Sequence, residues 1–560
     1  MADGPRPRRL PLGRALALGA LFLAAGAIAG FLVSESRLPA EPPRFQLLTF
    51  RRGFVSYARF TPDGNTVVYS ALWEGAPSQV FTTRIGSPES TPLALPSADV
   101  LSVSPTGELA LMIDGRIARA PLGGGAPREV FDSDVHEAYW SRDGVLLPIV
   151  KSVEGKCRLE VPPGNILYET AGAISDARLS PSGDTVAFLD HPHVGDDGGE
   201  VAVISVSGKR GKRSLSRWAS VSGLTWHHDG REIWVTGARS GSHAAVYAIT
   251  PEGRERLVLR TPGRLRLQDI DERGRLLVTS EPIRGRAFFG SLDSSEEREV
   301  SWFDYSLGVS LSADARKVLL IEQGESSRNR FGLYLRATDG SPAARLGDGM
   351  LGELSPDGNW VLAMSQDAQR LTLYPTGPGD PVVLPEAGLT YSSLGWFPYG
   401  KRIAFTASER DRGSRLYVQE VSGGMPTPFT EELPSSEHVR LPISPDGRWA
   451  AAFDLGRDTV LWPTSGGEPM SLETLGKIAG RPVKFSSDGS ALFFGQRGTG
   501  FVEIVRLDLA TRKQTILKRL RPPDPGVTSP FLSDVTPDGR HYLYNYVELR
   551  SELFLVDGAR

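Results

Sequence analysis

The sequence repeats one pattern of polar and apolar positions from residue 60 to its end. The first copy, FTPDGNTVVYS at residues 60–70, is an aromatic residue, a four-residue turn, a polar pair and a largely apolar run. The turns begin at residues 61, 104, 141, 180, 227, 271, 312, 355, 397, 444, 486 and 536, at intervals of 37 to 50 residues. A period of this length predicts a repeat architecture in which each copy is one small supersecondary unit.

The residues of the turn have a physical role. In copies such as SPDG and TPDG, Pro presets φ at the second position, Asp suits the third, and Gly takes a left-handed fourth position. Gly fills the fourth position in eleven of the twelve copies, and Ala315 is the exception. Because a left-handed Ala costs about 1 to 2 kcal/mol, we expect the turn at Ala315 to be rearranged or loosened.

Strand-like runs follow the turns. TVVYSA (66–71), TVAFLD (185–190) and RIAFTA (402–407) are too short for helices and are rich in β-branched and aromatic residues. Their nearly continuous apolar character predicts sheets that are covered on both faces. Two or three further strand-like runs complete each unit. The pattern therefore predicts an all-β chain of twelve four-stranded blades, the arrangement of a β-propeller.

Twelve blades are too many for one tight ring, so we expect two tandem six-bladed propellers at residues 45–297 and 298–560. The last unit, ELFLVDGAR, stops at a third strand, and FQLLTF at residues 45–50 is a surplus strand before the first unit. The surplus strand is expected to close the first ring, and a strand near residues 299–303 the second. A division into seven and five blades is the alternative.

The first 44 residues are of a different kind. Residues 1–14 form a basic tail, and the uncharged run at residues 15–33 would extend roughly 28 Å as a helix, about one hydrocarbon core. Residues 34–44 carry three prolines and four charges, which predicts an extended stalk. We therefore expect a single-pass anchor in a bacterial inner membrane, with the amino terminus in the cytoplasm and the propellers in the periplasm.

A cleaved signal peptide is the alternative for this segment, because residues 27–29 read Ala-Ile-Ala, the small-residue pattern of a cleavage site. The apolar residues 30–33 continue the run beyond that site and favour the anchor. Both interpretations export the remainder of the chain.

Composition limits the partners. The formal net charge is −3 and the pI is about 6.3, so the chain has no basic field for nucleic acid. Cys157 is the one cysteine, which excludes an intramolecular disulfide and a cysteine-based zinc site. Cys157 is expected to be a core residue of a strand.

The SPDG-type turn followed by an apolar strand resembles TolB-like, WD-repeat-like propeller repeats across residues 45–560. Residues 45–111 also resemble the start of the extracytoplasmic propeller region of certain bacterial membrane serine/threonine kinases. The sequence contains no glycine-rich phosphate loop, VAIK lysine, HRD aspartate or DFG triplet. The resemblance therefore implies a sensor or scaffold region without kinase activity.

Other catalytic motifs are also missing. The sequence has neither the G-x-S-x-G pentapeptide of a hydrolase nor an HExxH motif. One loop, DHPHVGDDGGE at residues 190–200, groups His191 and His193 with several acids, but without a defined zinc spacing. We expect no catalytic residue, no cofactor and no metal, with a metal at His191 and His193 as the alternative.

The hairpins between second and third strands are the long ones, and insertions on one face of a repeat protein often mark its binding side. Trp73 and Glu74 lie in the first of these hairpins and are predicted to contact a partner. The alternative for Trp73 is that it packs under its own loop, because large aromatic residues are usually buried. Arginines at the later tips suggest an acidic or carboxylate-bearing partner, with solvated surface charge as the alternative; they are Arg239, Arg328, Arg330, Arg410, Arg412 and Arg415.

These observations predict a non-catalytic envelope protein that binds a protein or peptide as a scaffold or sensor. The alternative is a cell-envelope enzyme or lectin-like protein that acts on glycan or peptide with carboxylates at a channel mouth.

Overall fold

The computed structural model describes a chain of β-strands joined by turns and loops. It describes residues 42–559 except 132–133, 142–143, 145, 154, 193–196, 209–210, 240–243, 324–330, 410–411, 434–439, 454–458, 472–479, 499 and 523–529. Within that part of the chain, no helix has the length and apolar character that a membrane crossing requires. The predicted tail, membrane anchor and most of the stalk lie outside the described residues.

The strands form twelve antiparallel sheets, which fall into two series of six. The first series, called the first ring, contains β1 (Arg44–Leu47), β2 (Gly53–Phe60), β3 (Thr66–Trp73), β4 (Gln79–Arg84), β5 (Ser90–Pro92), β6 (Asp99–Val103), β7 (Glu108–Ile113), β8 (Arg116–Pro121), β9 (Arg128–Phe131), β10 (Val135–Trp140), β11 (Leu146–Val153), β12 (Lys156–Glu160), β13 (Ile166–Thr170), β14 (Ala173–Leu179), β15 (Thr185–His191), β16 (Gly199–Ser205), β17 (Arg213–Trp218), β18 (Ser220–Trp226), β19 (Ile233–Ala238), β20 (Ala245–Ile249), β21 (Glu255–Leu259), β22 (Leu265–Ile270), β23 (Leu276–Ser280) and β47 (Glu552–Asp557).

The second ring contains the other strands. They are β24 (Ile283–Ser291), β25 (Glu297–Glu299), β26 (Ser306–Leu311), β27 (Lys317–Glu322), β28 (Gly332–Ala337), β29 (Ala344–Asp348), β30 (Leu351–Leu354), β31 (Trp360–Met364), β32 (Leu371–Pro375), β33 (Val382–Val383), β34 (Thr390–Trp396), β35 (Arg402–Ser408), β36 (Ser414–Glu420), β37 (Thr427–Pro428), β38 (Trp449–Phe453), β39 (Thr459–Pro463), β40 (Met470–Ser471), β41 (Gly480–Phe485), β42 (Ala491–Gly498), β43 (Phe501–Asp508), β44 (Gln514–Leu520), β45 (Phe531–Val535) and β46 (His541–Leu549).

Each sheet packs on the next, and each series closes on itself. In the first ring the inner strands contact one another in the order β2, β6, β10, β14, β18 and β22, and β22 returns to β2. Sheets packed face to face in a closed series are the blades of a β-propeller. Eleven sheets have four strands, whereas β38–β40 form a three-stranded sheet whose inner position holds only the bridge between Ile443 and Ala450.

Apolar side chains fill the space between blades on both faces of a sheet. Val67 and Val68 are adjacent in β3 and point to opposite faces, yet both are fully buried. They belong to two different core clusters, one on each side of the blade. The covering on both faces that the continuous apolar runs predict is therefore present, and the buried Cys157 belongs to one of these clusters.

The fourth residue of the turn has the same backbone conformation in all twelve copies. The fourth residue has a positive φ in every copy, from 59° at Ala315 to 81° at Gly144. The Ala315 N–H donates to the Ser312 carbonyl at 2.9 Å, as Gly64 donates to Thr61. The expectation that the Ala315 turn is rearranged was wrong, because the flanking hairpin holds the alanine in the left-handed region.

The two rings are joined by a two-stranded ribbon. Strand β23 continues through residues 281–282 into β24 of the second ring, and β46 returns through residues 550–551 into β47 of the first. The strands pair across both crossings, with Ser280 opposite Glu552 and Ile283 opposite Leu549. The predicted boundary after residue 297 is therefore wrong: β24 and β25 pair with β46 in the second ring, and the last strand of the chain belongs to the first ring.

Both ends of the described chain meet in the sheet of β22, β23, β47 and β1, called here blade six of the first ring. Strand β1 pairs with β47, which places Arg44 opposite Asp557, beside the turn that begins at residue 271. The face of the first ring that carries its six turns is called here the turn face, and the opposite face is called the hairpin face. Arg44 lies at the turn-face end of its blade.

The ribbon predicts that two leucines ten residues apart stabilise different rings. Leu553 packs with Leu48, Val55 and Leu277 of the first ring, and Leu543 packs with Leu311 of the second. Because both side chains are fully buried, each change to alanine should cost about 2 to 5 kcal/mol. We expect Leu553→Ala to reduce hydrogen-exchange protection in residues 44–280 and Leu543→Ala to reduce it in residues 283–549. Equal loss in both rings from either variant would contradict the assignment of β47 to the first ring.

Candidate binding site at the mouth of the first ring

The inner strand of each blade is an edge strand, so its backbone N–H groups need partners that no neighbouring strand supplies. In the first ring, a side chain of each blade accepts an N–H of the next blade's inner strand at all six interfaces. The bonds run from Val100 to Ser70 (2.5 Å), Trp140 to Ser102 (3.1 Å), Asp176 to Glu137 (3.1 Å), Gly223 to Asp176 (3.1 Å), Leu267 to Thr236 (2.7 Å) and Ala58 to Gln268 (3.3 Å). These bonds fix the blades around the axis.

One interface shows how closely the inner strands approach. Gly223 has a φ of +61°, and a Cβ built on it would lie 2.1 Å from the Leu267 carbonyl oxygen. The position therefore requires glycine, which lets the Gly223 N–H reach the carboxylate of Asp176.

Charged side chains concentrate at this axis. Arg59 is buried and donates to the carbonyl oxygens of Leu101, Ala58 and Gln268 at 2.7 to 2.8 Å. Burial lowers the pKa of Arg59, and the nearby guanidinium of Arg178 lowers it further. Carbonyl oxygens thus hold Arg59 in place without neutralising it.

Two carboxylates lie side by side on the same axis. Glu137 accepts the N–H groups of Asp176 and Ala177, and Asp176 lies 4.0 Å from the guanidinium of Arg266. Burial and then the Asp176 carboxylate raise the pKa of Glu137 well above the usual range of a carboxyl group. The axis therefore holds less negative charge near neutral pH than its three acids, Glu137, Asp176 and Asp269, would supply if all were ionised.

Arg178 lies at the turn-face end of this cluster. Its guanidinium carbon is 3.5 Å from the centre of the Tyr139 ring, a stacked cation–π contact. It donates a hydrogen bond to the Ala177 carbonyl at 3.3 Å. Burial acts against its charge, but Tyr139 and the carboxylates of Asp176 and Glu137 outweigh burial and raise the pKa of Arg178. Among the described residues Arg178 forms no ion pair with a carboxylate.

Above Arg178 the axis opens into a cavity of about 620 Å³ on the turn face, called here the mouth. All six blades line it. Its apolar lining includes Phe60, Trp140, Leu179, Trp226 and Ile270, and three turn prolines, Pro62, Pro105 and Pro181, surround the rim. The indole N–H of Trp226 donates to the Arg178 carbonyl at 3.0 Å, which fixes the position of that ring.

The acids of the mouth are engaged in the fold. Asp63 accepts bonds from the Thr61 hydroxyl and the Asn65 N–H, and these bonds lower its pKa. Asp269 accepts the Phe60 N–H at 2.9 Å, and Asp271 pairs with Arg275 at 2.7 Å. Burial raises the pKa of Asp269, but the structural bonds of these three carboxylates make them poor candidates for acid–base chemistry. Glu272 is a fourth acid of the lining.

The axis of the second ring is closed by ions. Arg440 bridges Glu353 at 2.6 Å and Asp534 at 2.5 Å, and Lys484 lies 3.4 Å from Asp534. Burial acts against ionised Asp534, but Arg440 and Lys484 outweigh it and lower its pKa. Glu353, Lys484 and Asp534 come from three different blades, and Arg440 forms a backbone bridge with Leu394 of a fourth, so the cluster connects the blades of the second ring across its axis.

The structure does not bring the residues predicted from the sequence into one site. Trp73 is only 3% exposed and packs with Tyr69 and Phe81, so it is a core residue and not an exposed anchor. This corrects the prediction: β3 extends to Trp73 and turns the indole inward. Glu74 is exposed and lies 4.0 Å from Arg51.

The described arginines of the hairpin tips have partners. Arg239 stacks 3.7 Å from the ring centre of Trp218 and pairs with Glu255. Arg412 and Arg415 both approach Glu409, at 3.3 and 3.9 Å. Arg328, Arg330 and Arg410 lie outside the described residues.

His191 has a structural environment. Its two ring nitrogens lie 2.9 Å from the Ser175 hydroxyl and 3.1 Å from the Gly198 carbonyl oxygen. His193 is not among the described residues. In the part of the chain that is described, no group of three or more His, Cys, Asp or Glu residues has a metal-binding arrangement.

No protein-family model matches the chain, and no curated protein matches it. The fold is similar to that of a putative TolB from Agrobacterium tumefaciens, with 18% identity and a TM-score of 0.37 over 48% of this chain and 98% of that chain. TolB from Acinetobacter baumannii matches with 10% identity and a TM-score of 0.23 over 74% of this chain and 80% of that chain. An oligogalacturonate lyase from Vibrio parahaemolyticus matches with 13% identity and a TM-score of 0.32 over 62% of this chain and 98% of that chain.

These similar structures include an enzyme as well as TolB proteins, so they do not decide between binding and catalysis.

The axial cluster of the second ring yields a stability prediction. Arg440→Met would leave Glu353 and Asp534 buried with only Lys484 as a counter-charge, and should destabilise the second ring by about 3 to 5 kcal/mol. Arg448→Met is the matched control: Arg448 is 78% exposed and pairs with Asp446, so its removal should cost less than about 1 kcal/mol. Denaturant unfolding of both variants measures the difference. Equal stability of the two variants would contradict a structural role for the axial cluster.

Proposed function

We propose that the chain is an extracytoplasmic, TolB-like double propeller of two six-bladed rings that binds a protein or peptide segment at the mouth of its first ring. In this proposal it acts as a scaffold or sensor of the cell envelope, without catalysis. Residues 15–33 anchor it in the inner membrane.

The observation that carries the proposal is the mouth itself. It is about 620 Å³ in volume, and its lining combines apolar rings with backbone and charged groups from all six blades. Concave sites of this size and mixed chemistry are typical of ligand-binding sites. The corresponding axis of the second ring is occupied by Arg440 and its partners, which favours the first ring as the binding ring.

The position of Arg44 supports a membrane-facing mouth. Arg44 lies at the turn-face end of blade six, the same face as the mouth. An extended stalk over residues 34–43 spans at most about 36 Å. An anchor at residues 15–33 would therefore hold Arg44 within that distance of the membrane, on the face of the ring that carries the mouth, and would favour a partner bound to the same membrane.

An envelope enzyme or lectin-like protein is the alternative function. It would use carboxylates at the mouth as acid and base, and the candidates are Asp63, Asp269, Asp271 and Glu272. The first three of them already accept structural hydrogen bonds or pair with an arginine. The bonding of these groups therefore favours binding over catalysis.

A photocrosslinker in the mouth should capture the partner. A photoreactive phenylalanine analogue in place of Pro105, an exposed mouth residue, should crosslink one dominant protein in membranes of the source organism. The same analogue in place of Tyr399, which is 80% exposed on a turn of the second ring, is the matched control. Mass spectrometry identifies the products. The same products from both positions, or turnover of envelope glycan or peptide that is lost in Asp269→Asn, would contradict the proposal.

A further inference from the structure

The three arginines at the axis of the first ring differ in their partners. Arg59 donates to three carbonyl oxygens, and Arg266 lies 4.0 Å from the Asp176 carboxylate. Arg178 lines the mouth, rests on the ring of Tyr139 and donates a bond of 3.3 Å to a carbonyl. It is thus the axial arginine that lines the cavity, and among the described residues it forms no ion pair with a carboxylate.

The stacked geometry determines what Arg178 can bind. A guanidinium carbon only 3.5 Å from the ring centre leaves room for the guanidinium as a plate roughly parallel to the ring, so its N–H groups point outward past the ring edge and form a fork. A carboxylate matches that fork with two parallel hydrogen bonds. The half-buried position increases the strength of such a pair relative to one in open water.

The neighbouring acids are committed to the blades. Glu137, Asp176 and Asp269 each accept a backbone N–H from the next blade. The raised pKa of Glu137 further reduces the negative charge beside Arg178. At the rim, Asp271 is paired with Arg275. Asp176 and Glu137 help to raise the pKa of Arg178, but among the described residues no carboxylate lies within ion-pair distance of its guanidinium. The floor of the mouth therefore has a charged guanidinium that a carboxylate from outside the fold can contact directly.

Resting on the proposed function, we propose that Arg178 binds a carboxylate of the partner segment, either a C-terminal carboxylate or the side chain of an Asp or Glu. Phe60, Trp140, Leu179 and Ile270 surround this position. The partner segment is therefore one in which an apolar residue adjoins the carboxylate.

Peptide selection tests this inference. The full-length protein in mild detergent is used to select from two random peptide libraries, one with free C-termini and one with internal segments only. Each selected peptide is then synthesised in an acidic form and in forms with the C-terminus or the acidic side chain converted to an amide. Fluorescence anisotropy measures the affinities, so the arms distinguish a terminal carboxylate from a side-chain carboxylate.

For the wild type, neutralising the bound carboxylate should weaken binding about ten- to hundred-fold. Arg178→Met should weaken the acidic form by a similar factor and bind acidic and neutral forms equally. Arg178→Lys should be intermediate, because an ammonium keeps the charge but not the planar fork. The matched control is Arg402→Met, since Arg402 also stacks on an aromatic ring, Phe397 at 4.3 Å, in the second ring. It should leave all affinities unchanged.

Two contrary outcomes are distinguishable. Peptides that lose affinity in the mouth variant Pro105→Glu, but bind equally well in acidic and neutral forms, would overturn the role of Arg178 and leave the proposed function standing. A selection without any peptide sensitive to Pro105→Glu would overturn both. Thermal unfolding of Arg178→Met and Arg178→Lys checks that both variants are folded, and retained discrimination between acidic and neutral peptides in a folded Arg178→Met variant would also overturn the inference.

Discussion

The backbone of each inner strand has N–H groups that face a narrow axis, where no strand can pair with them. A buried N–H without a partner costs free energy comparable to a lost hydrogen bond. The first ring meets this requirement with a side-chain acceptor at every blade interface, from Ser70 at the first to Gln268 at the last. Because each acceptor belongs to one blade and each donor to the next, the same bonds that satisfy the backbone also close the ring.

The choice of acceptor explains why the two axes differ. Carboxylates such as Glu137 and Asp176 are strong acceptors, but burying them requires counter-charges nearby. In the first ring the arginines that accompany them are spread along the axis, and one of them reaches the mouth. In the second ring Arg440 reaches two acids at once, so the charges cancel inside the axis. The buried carboxylates on each axis and their counter-charges thus form a charged site at the mouth of the first ring and an ion-paired cluster in the second ring.

The turns and apolar runs predict the blades well, because both depend on local chemistry. The sequence also contains a signal for the axial residues, because a charged residue stands two positions before the turn in six copies. These residues are Arg59, Arg178 and Asp269 in the first ring and Glu353, Lys484 and Asp534 in the second. A charge inside an apolar strand signals an axial position. The ring in which a strand pairs could not be predicted, because β24 and β47 follow ordinary strands and only their long-range partners show the crossing. The inward turn of Trp73 likewise depends on the length of β3, which the sequence pattern leaves open.

The ribbon makes completion of the first ring depend on the second ring. Strand β47 is the third strand of its blade, so without it β1 has no partner and β23 becomes an outer edge. The first ring is therefore complete only after the whole second ring has been synthesised, although most of its strands precede residue 281. Closure across such a sequence separation requires the intervening ring to be compact, because the entropy of closing a loop rises with its length. A folded second ring brings Leu549 next to Ile283 and so presents β47 to its blade. The ion cluster on the axis of the second ring stabilises that ring. Because the second ring lies between β23 and β47 in the sequence, its stability favours completion of the first ring and therefore of the mouth.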